Sequence, residues 1–147
     1  TTLFRSSDEY IAHYIHSDKK TGVITVLKSD KPDVFTGKVF KDFAYDCCLH
    51  AAAFTPRYVK KDEVEQSFID EQLEIFRGQV ADLDKPANVK EGIVKGKLNK
   101  YLSEICFLEQ PFVKDDKMSV QAKMQEIGKQ LGATISLSKL VLYQLGQ

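Results

Sequence analysis

Cys47, Cys48 and His50 are the residues whose types and spacing could do chemistry. A thiolate is a nucleophile, and thiolates and imidazoles are also common ligands of zinc. Zinc-binding cysteines usually come in pairs about two to four residues apart, with a second pair downstream. The only other cysteine is Cys106, and adjacent side chains on a helix point about 100° apart. We therefore predict no metal site here.

A thiol enzyme using Cys47 or Cys48 is an alternative, because His50 follows within three residues of Cys47. A nucleophile–base pair normally needs a third group that orients the base, and the sequence shows none. The favoured interpretation is that Cys47 is a small core hydrophobe and that Cys48 lies at the edge of the core. His50 then falls at the margin of an apolar helical stripe, beside Phe43 and Phe54.

No other motif indicates catalysis or a cofactor. The sequence has no Gly-rich phosphate loop, no Gly-x-Ser-x-Gly elbow and no His-Glu-x-x-His helix. His13 and His16 are three residues apart in a predicted strand, so they face opposite sides and make a poor ligand pair. We predict no cofactor, and the local chemistry does not indicate an enzyme.

Composition and charge exclude several classes of protein. The chain has 147 residues, 43% apolar and 29% charged, which suits one globular domain. Lys plus Arg and Asp plus Glu both number 21, which argues against a nucleic-acid binder that depends on phosphate contacts. No apolar run approaches the roughly 20 residues that span a bilayer, so no membrane partner is expected. An odd number of cysteines, two of them adjacent, favours a reducing compartment.

The first part of the chain predicts two strands and a helix. The stretch "EYIAHYIHSDKKTGVITVL" reads as two strands joined by a turn that Gly22 ends. From Lys38 to Phe54 the apolar residues recur at helical spacing, and Pro56 ends that helix.

A helical hairpin is predicted next, over about residues 62–104. Asp62-x-x-Glu65 resembles a capping box. The first helix has an apolar seam at Ile69, Leu73, Phe76, Val80 and Leu83. The second helix, from about Ala87 to Glu104, has one stripe at Val89, Ile93 and Gly96 and a second at Val94, Leu98, Tyr101 and Ile105. We interpret Gly96 as making room for Phe76.

The last part predicts a loop, a short helix and a strand. "CFLEQPFVKDDKMS" reads as a loop, Ser119 caps a helix that runs to Leu131, and Gly132 ends it. "ATISLSKLVLYQL" then forms a strand. The predicted fold class is α+β: a three-stranded antiparallel sheet packed on helices, with a projecting antiparallel helical hairpin, in one domain of residues 1–147.

Five blocks, in order and at suitable spacing, resemble the C-terminal half of translation elongation factor Ts, often called its dimerisation domain. They are "YIH" (Tyr14–His16) leading to "GVITVL" (Gly22–Leu27), "LHAAAFTPRYVKKDEV" (Leu49–Val64), "DKPANVKEGIVKGKLNKY" (Asp84–Tyr101), "EQPFV" (Glu109–Val113) and "LVLYQLG" (Leu140–Gly146). Each block alone is weak, but the five together span nearly the whole chain.

The resemblance implies part of a guanine nucleotide exchange factor for elongation factor Tu, the GTPase that delivers aminoacyl-tRNA. The family core has two related α+β subdomains, and the second carries an inserted helical hairpin; this chain resembles that second subdomain. The first subdomain's Thr-Asp-Phe-Val stretch, which disturbs the magnesium site of Tu, does not occur in these 147 residues. We therefore expect a regulatory, non-catalytic chain that binds the GTPase but is insufficient alone for full exchange.

The resemblance also implies the partner-binding residues. In the family the histidine of the "LHAAAFTP" block pushes against the GTPase domain of Tu, and His50 occupies that position. Its neighbours Leu49 and Ala51 are the next candidates. Residues before Gly-Val contact the third domain of Tu, which gives Thr21 and Gly22, although Thr21 departs from the aliphatic residue common there. We predict that His50 is a surface side chain that acts by shape and hydrogen bonding.

Self-association is a further expectation, since the second stripe of the hairpin and the last strand could leave apolar surface or a sheet edge without a packing partner inside the chain. The opposing interpretation is that both stripes pack internally. The alternative function is a free-standing helical-hairpin interaction module without a GTPase partner. The expected location is the bacterial cytoplasm, with an organelle matrix as the alternative.

Overall fold

Residues 6–146 are described by a computed structural model; the first five residues and Gln147, which the predicted domain includes, lie outside it. None of the helices in this part of the chain is long and apolar enough to cross a membrane. The strands are β1 (Glu9–Ile15), β2 (Thr21–Ser29), β3 (Pro111–Phe112), β4 (Asp115–Ser119) and β5 (Ile135–Gln144). The helices are α1 (Lys38–Phe54), α2 (Gln66–Val80), α3 (Ala87–Ile105) and α4 (Val120–Leu131).

The main sheet has the strand order β1-β2-β5, and both pairs are antiparallel. Successive side chains of a strand point to opposite faces, so Val23, Thr25 and Leu27 share the inner face while Gly22 and Ile24 share the outer one. The register of β2 and β5 shifts between Val26 and Leu27, which marks a β-bulge. The predicted α+β fold with a three-stranded antiparallel sheet is confirmed.

Helix α1 has the predicted bounds and packs on the inner face of the sheet. Its apolar stripe repeats at helical spacing, so one side of the helix is buried. Phe40, Cys47 and Cys48 are fully buried there with Val23 and Leu27. The helix ends as predicted before Pro56, at Thr55, whose left-handed backbone (φ 42°) lets its N–H donate to the carbonyl of Ala51.

The predicted helical hairpin is present, but its first helix begins later than predicted. Asp62 and Glu63 lie in a 3₁₀ turn, Lys61–Glu63, and α2 starts only at Gln66 without a side-chain cap. The predicted capping box is therefore wrong. The carboxylate of Glu63 instead accepts a hydrogen bond from the backbone N–H of Val59 at 2.9 Å. That bond links Glu63 to the residues just before its own turn, and no side chain caps the first turn of α2.

Helix α3 buries the second predicted stripe and exposes part of the first. Leu98, Tyr101 and Ile105 pack at the base of the hairpin, and Val94 is buried. The expectation that this second stripe is left unmet is therefore wrong. Val89 is exposed at the hairpin tip, as is Leu83 of the first helix's predicted seam.

The interpretation of Gly96 is also wrong. Gly96 is exposed, and a Cβ built on it would have no atom within 4 Å. Phe76 packs instead against the ring of Tyr101, with ring centroids 6.2 Å apart. Gly96 therefore makes no room for Phe76.

The segment predicted as a loop after α3 is ordered. It contains a 3₁₀ turn at Phe107–Glu109, followed by the small antiparallel pair β3–β4. Ser119 caps α4 as predicted, since its Oγ accepts from the N–H of Ala122 at 3.2 Å. Gly132 ends that helix with φ 62°, a left-handed conformation that favours glycine.

Candidate functional site

The last turns of α1 point the predicted residues Leu49, His50 and Ala51 in three different directions. Adjacent residues on a helix are rotated by about 100°, so the three consecutive side chains have different surroundings. Leu49 is half-buried and faces a surface cleft, whereas His50 and Ala51 are fully buried. Ala51 belongs to the main core. It is an interior residue and cannot touch a partner in this conformation.

The His50 side chain lies inside the protein and both of its ring nitrogens are paired. Nε2 is 2.8 Å from the amide oxygen of Gln110, and Nδ1 accepts from the backbone N–H of Val113 at 3.1 Å. The rings of Phe54, Phe107 and Phe112 surround it, with centroids 4.7, 5.2 and 6.1 Å away. The prediction that His50 is a surface side chain is therefore wrong.

The two hydrogen bonds define the protonation state of His50. A neutral imidazole has one N–H donor and one bare acceptor nitrogen. Because Val113 donates to Nδ1, the proton lies on Nε2 and is donated to Gln110. Burial lowers the pKa of His50 below its ordinary value of 6.5, and the hydrogen bond to Gln110 opposes that shift. The ring is thus held neutral in one tautomer.

The cysteine pair is also internal. Cys47 and Cys48 are both fully buried, so the prediction that Cys48 lies at the core edge is wrong. The Sγ of Cys48 lies 3.2 Å from the hydroxyl of Thr25 on β2. Burial raises the pKa of both thiols, which favours the unreactive thiol over the thiolate. Within residues 6–146 no cluster of three or more His, Cys, Asp or Glu could hold a metal ion.

A surface cleft of about 420 Å³ brings Leu49 together with Thr21. Leu49, Ala52 and Ala53 of α1 contribute an apolar wall. Val113, in the turn between β3 and β4, adds to it and is 39% exposed. The cleft therefore presents apolar surface to solvent, as sites for protein partners commonly do.

The polar part of the cleft lining comes from the end of β1 and from the turn that follows it. The Tyr14 hydroxyl lies 2.9 Å from Nδ1 of His16. Asp18 accepts from the backbone N–H of Lys20 at 2.8 Å, and that bond lowers the pKa of its carboxyl group. This part of the lining thus offers a hydroxyl, an imidazole and a carboxylate beside the apolar wall, a combination suited to binding.

Gly22 lies outside the cleft, on the outer face of the sheet. It pairs directly with Ile15 on one side and Tyr143 on the other. These two side chains are 66% and 71% exposed, and a Cβ at Gly22 would have no atom within 4 Å. The result is a shallow gap between two exposed apolar side chains.

The turn between β3 and β4 is fixed against α1 at two points. Besides the bond from Val113 to His50, Nζ of Lys114 lies 2.6 Å from a carboxylate oxygen of Asp46. Asp46 and His50 are one helical turn apart on α1, so they hold neighbouring residues of the turn. The position of the Val113 wall therefore depends on α1.

Sequence reasoning missed Gln110 and Val113 as parts of the site. Both belong to the "EQPFV" block, to which no role was assigned. Local sequence gives no clear signal for Gln110, because Glu109 precedes it and nothing in the block shows that its amide is buried. Its partner, His50, lies 60 residues earlier in the chain, beyond the reach of local patterns.

Comparison with known proteins gives consistent matches along the whole chain. The family model described as Elongation factor TS matches residues 1–147. Elongation factor Ts of Treponema denticola is 69% identical over 140 residues, covering 95% of this chain and 50% of that protein. The proteins of the same name from Treponema pallidum and Borreliella burgdorferi are 56% and 39% identical, covering 94% and 95% of this chain and 48% and 50% of theirs. The chain thus spans about half the length of these relatives.

The buried neutral state of His50 predicts a pH-dependent stability. In the unfolded chain the imidazole recovers its ordinary pKa of 6.5, so below that pH the unfolded state binds more protons than the folded state. The contribution of His50 is then fully present above pH 6.5 and is lost as the pH falls towards the lower folded pKa. We expect the free energy of unfolding, measured by urea denaturation at several pH values, to fall in that window.

The matched variants separate His50 from other titrating groups. His50→Gln cannot titrate, so it should show a shallower decline in stability below pH 6.5. His13→Gln, which changes an exposed histidine of β1, should decline as the parent does. Identical slopes for the parent and His50→Gln would contradict the prediction.

Proposed function

Because the chain belongs to the elongation factor Ts family, we propose that it forms part of a guanine nucleotide exchange factor and binds elongation factor Tu. The observation that carries this proposal is the cleft in which Leu49 and Thr21 meet. These two residues are 28 positions apart in the sequence, and both were predicted to contact the GTPase. An open apolar wall beside polar groups supports that role.

The proposed roles of the five predicted residues differ. Leu49 and Thr21 contact the partner in the cleft, and Gly22 contacts it on the outer face between Ile15 and Tyr143. His50 and Ala51 support the cleft wall from inside, because neither is exposed. The proposed role of His50 is therefore to hold Val113 in place, rather than to press on the GTPase itself.

The proposed mechanism is regulation by differential binding, without covalent chemistry. An exchange factor binds the nucleotide-free GTPase more tightly than the nucleotide-bound form. Linkage then requires that it weaken nucleotide binding by the same factor. The groups lining the cleft can bind a protein surface, whereas the buried thiols have raised pKa values that disfavour the reactive thiolate.

The relatives are bacterial proteins, so we place this role in the bacterial cytoplasm.

Self-association is a second candidate property, favoured by the outer face of the sheet. Cross-strand pairing places a set of apolar residues on this face: Ile11, Ile15, Ile24, Val26, Val141 and Tyr143. Helices α1 and α4 pack on the inner face, with the residues of the main core. An outer face with Ile15 and Tyr143 exposed suits a second apolar surface, such as the same face of another copy. That copy would compete with the GTPase contact proposed for Gly22.

Leu49→Ala tests the cleft as the binding surface. Burying a leucine side chain against a partner contributes about 1.5–3 kcal/mol, so the affinity for nucleotide-free elongation factor Tu should fall by roughly tenfold or more. Isothermal titration calorimetry measures it. Val39→Ala removes an exposed apolar side chain from the same helix, away from the cleft, and should bind as the parent does. Equal affinities for the parent and Leu49→Ala would refute the role of the cleft.

Nucleotide release tests whether these 147 residues suffice for exchange. We expect the chain to release fluorescent GDP from elongation factor Tu far more slowly than a complete factor of the family does, because it has no Thr-Asp-Phe-Val stretch. The complete Treponema denticola factor, assayed with the same GTPase by stopped flow, is the reference. Equal release rates would show that the binding surface alone is enough.

Sedimentation at several concentrations tests self-association. We expect the parent chain to shift to a faster-sedimenting species as its concentration rises. Tyr143→Lys places a charge on the outer face and should suppress that shift, because an unpaired charge is costly to bury. Tyr45→Lys changes an exposed tyrosine of α1, outside that face, and should not. A parent that stays monomeric, or a Tyr143→Lys chain that still associates, would exclude this interface.

A further inference from the structure

Residues 6–146 form two hydrophobic cores, one in the body and one at the base of the helical hairpin. The body core lies between the sheet, α1 and α4. The base core consists of the buried residues Val64, Leu102, Ile105 and Cys106, with half-buried neighbours such as Phe68 and Tyr101. Separate cores can move relative to each other unless specific contacts join them. The contacts between them therefore decide how the hairpin is oriented.

Gln110 lies at the junction and is only 2% exposed. Its amide oxygen accepts from Nε2–H of His50 on α1 at 2.8 Å, and its amide nitrogen donates to the carbonyl of Glu104 in α3 at 2.8 Å. Its backbone carbonyl accepts from the N–H of Val120, the first residue of α4, at 3.0 Å. One residue therefore bonds to three helices.

The amide group suits this position because it is a donor and an acceptor at once. The carbonyl of Glu104 is among the last four of α3, which have no partner inside the helix. The other side of the same amide requires a donor from His50 and so keeps the proton on Nε2. Nδ1 is then free to accept from Val113. Three hydrogen bonds in series therefore connect Glu104 in the hairpin, through Gln110 and His50, to Val113 in the wall of the cleft. We call this series of hydrogen bonds the relay.

We propose that Gln110 is a positioning residue that fixes the helical hairpin and the cleft wall relative to each other. The apolar cores alone do not set this orientation, because hydrophobic contacts are non-directional. The relay supplies direction, since each of its hydrogen bonds has a restricted geometry. The consequence for binding rests on the proposed function: the hairpin and the cleft meet the GTPase as one pre-oriented surface, and loosening them weakens binding.

Two variants of Gln110 remove one or both of its side-chain hydrogen bonds. Gln110→Met keeps the length of the side chain and removes both hydrogen bonds. Gln110→Glu, in its ionised form, keeps an acceptor for His50 but has no donor for the carbonyl of Glu104. Gln79→Met is the matched control, because Gln79 is an exposed hairpin glutamine whose Oε1 accepts from Lys97 at 2.8 Å.

Nuclear magnetic resonance of the 147-residue chain reads both ends of the relay without any partner. Long-range ¹H–¹⁵N spectra report the tautomer of His50, at about pH 8.5, well above the ordinary imidazole pKa. Residual dipolar couplings report the orientation of α3 relative to the sheet. We expect the Nε2–H tautomer and one fixed orientation in the parent and in Gln79→Met.

The two Gln110 variants should differ from each other. Gln110→Glu should keep the tautomer and lose the fixed orientation of α3, whereas Gln110→Met should lose both. If Gln110→Met does not fold, the orientation of α3 in Gln110→Glu decides. An Nδ1–H tautomer in the parent, or an unchanged orientation of α3 in Gln110→Glu, would overturn the positioning role.

Affinity for nucleotide-free elongation factor Tu tests the consequence separately. A coupling between two parts of a protein is typically worth a factor of about 5–150, and we expect Gln110→Glu to bind at least about fivefold more weakly than the parent chain. Unchanged affinity with an altered orientation of α3 would overturn the link to binding. A parent chain that does not bind Tu at all would refute the proposed function, while the magnetic resonance result would still decide the positioning role.

Discussion

The packing of α1 against the inner face of the sheet is the interaction on which the rest of the structure depends. It buries Phe40, Cys47 and Cys48 and closes the body core. The same helix carries Asp46 and His50, which hold the turn between β3 and β4, and Leu49, which lines the cleft. A single helix thus joins stability to the candidate binding surface, so that surface is rigid only while the core is intact.

A buried imidazole inside such a core is tolerated because both of its nitrogens, and the amide group of Gln110 beside it, are hydrogen-bonded. A buried group without a partner costs about 1–3 kcal/mol, and within the described residues no buried side-chain nitrogen or oxygen lacks a hydrogen bond. His50, Gln110 and the two backbone groups that they bind satisfy one another. The polar relay therefore gives the body and the hairpin a directional connection that apolar contacts would not.

Local signals in the sequence were sufficient for the helices and strands with strong periodicity or clear caps. Helix α1 and the ends of α4 at Ser119 and Gly132 follow from such signals. The predictions failed where distant segments decide the outcome. His50 lies at the margin of its stripe, and residues of the "EQPFV" block, far along the chain, close over it. The carboxylate of Glu63 bonds Val59 within its own turn, and the predicted capping box accordingly does not form.

The bulge between β2 and β5 has a consequence for misassembly. On β5 the pairing passes from Lys139 directly to Leu137, so Ser138 is the extra residue of the bulge. The register of the two strands therefore differs by one residue on either side of Ser138. A strand that slides along its neighbour would have to carry this irregularity with it. As an edge strand, β5 is also the place where a foreign strand could add to the sheet. The bulge at Ser138 thus opposes slippage of the strand, and it interrupts the regular strand edge on which a fibril would grow.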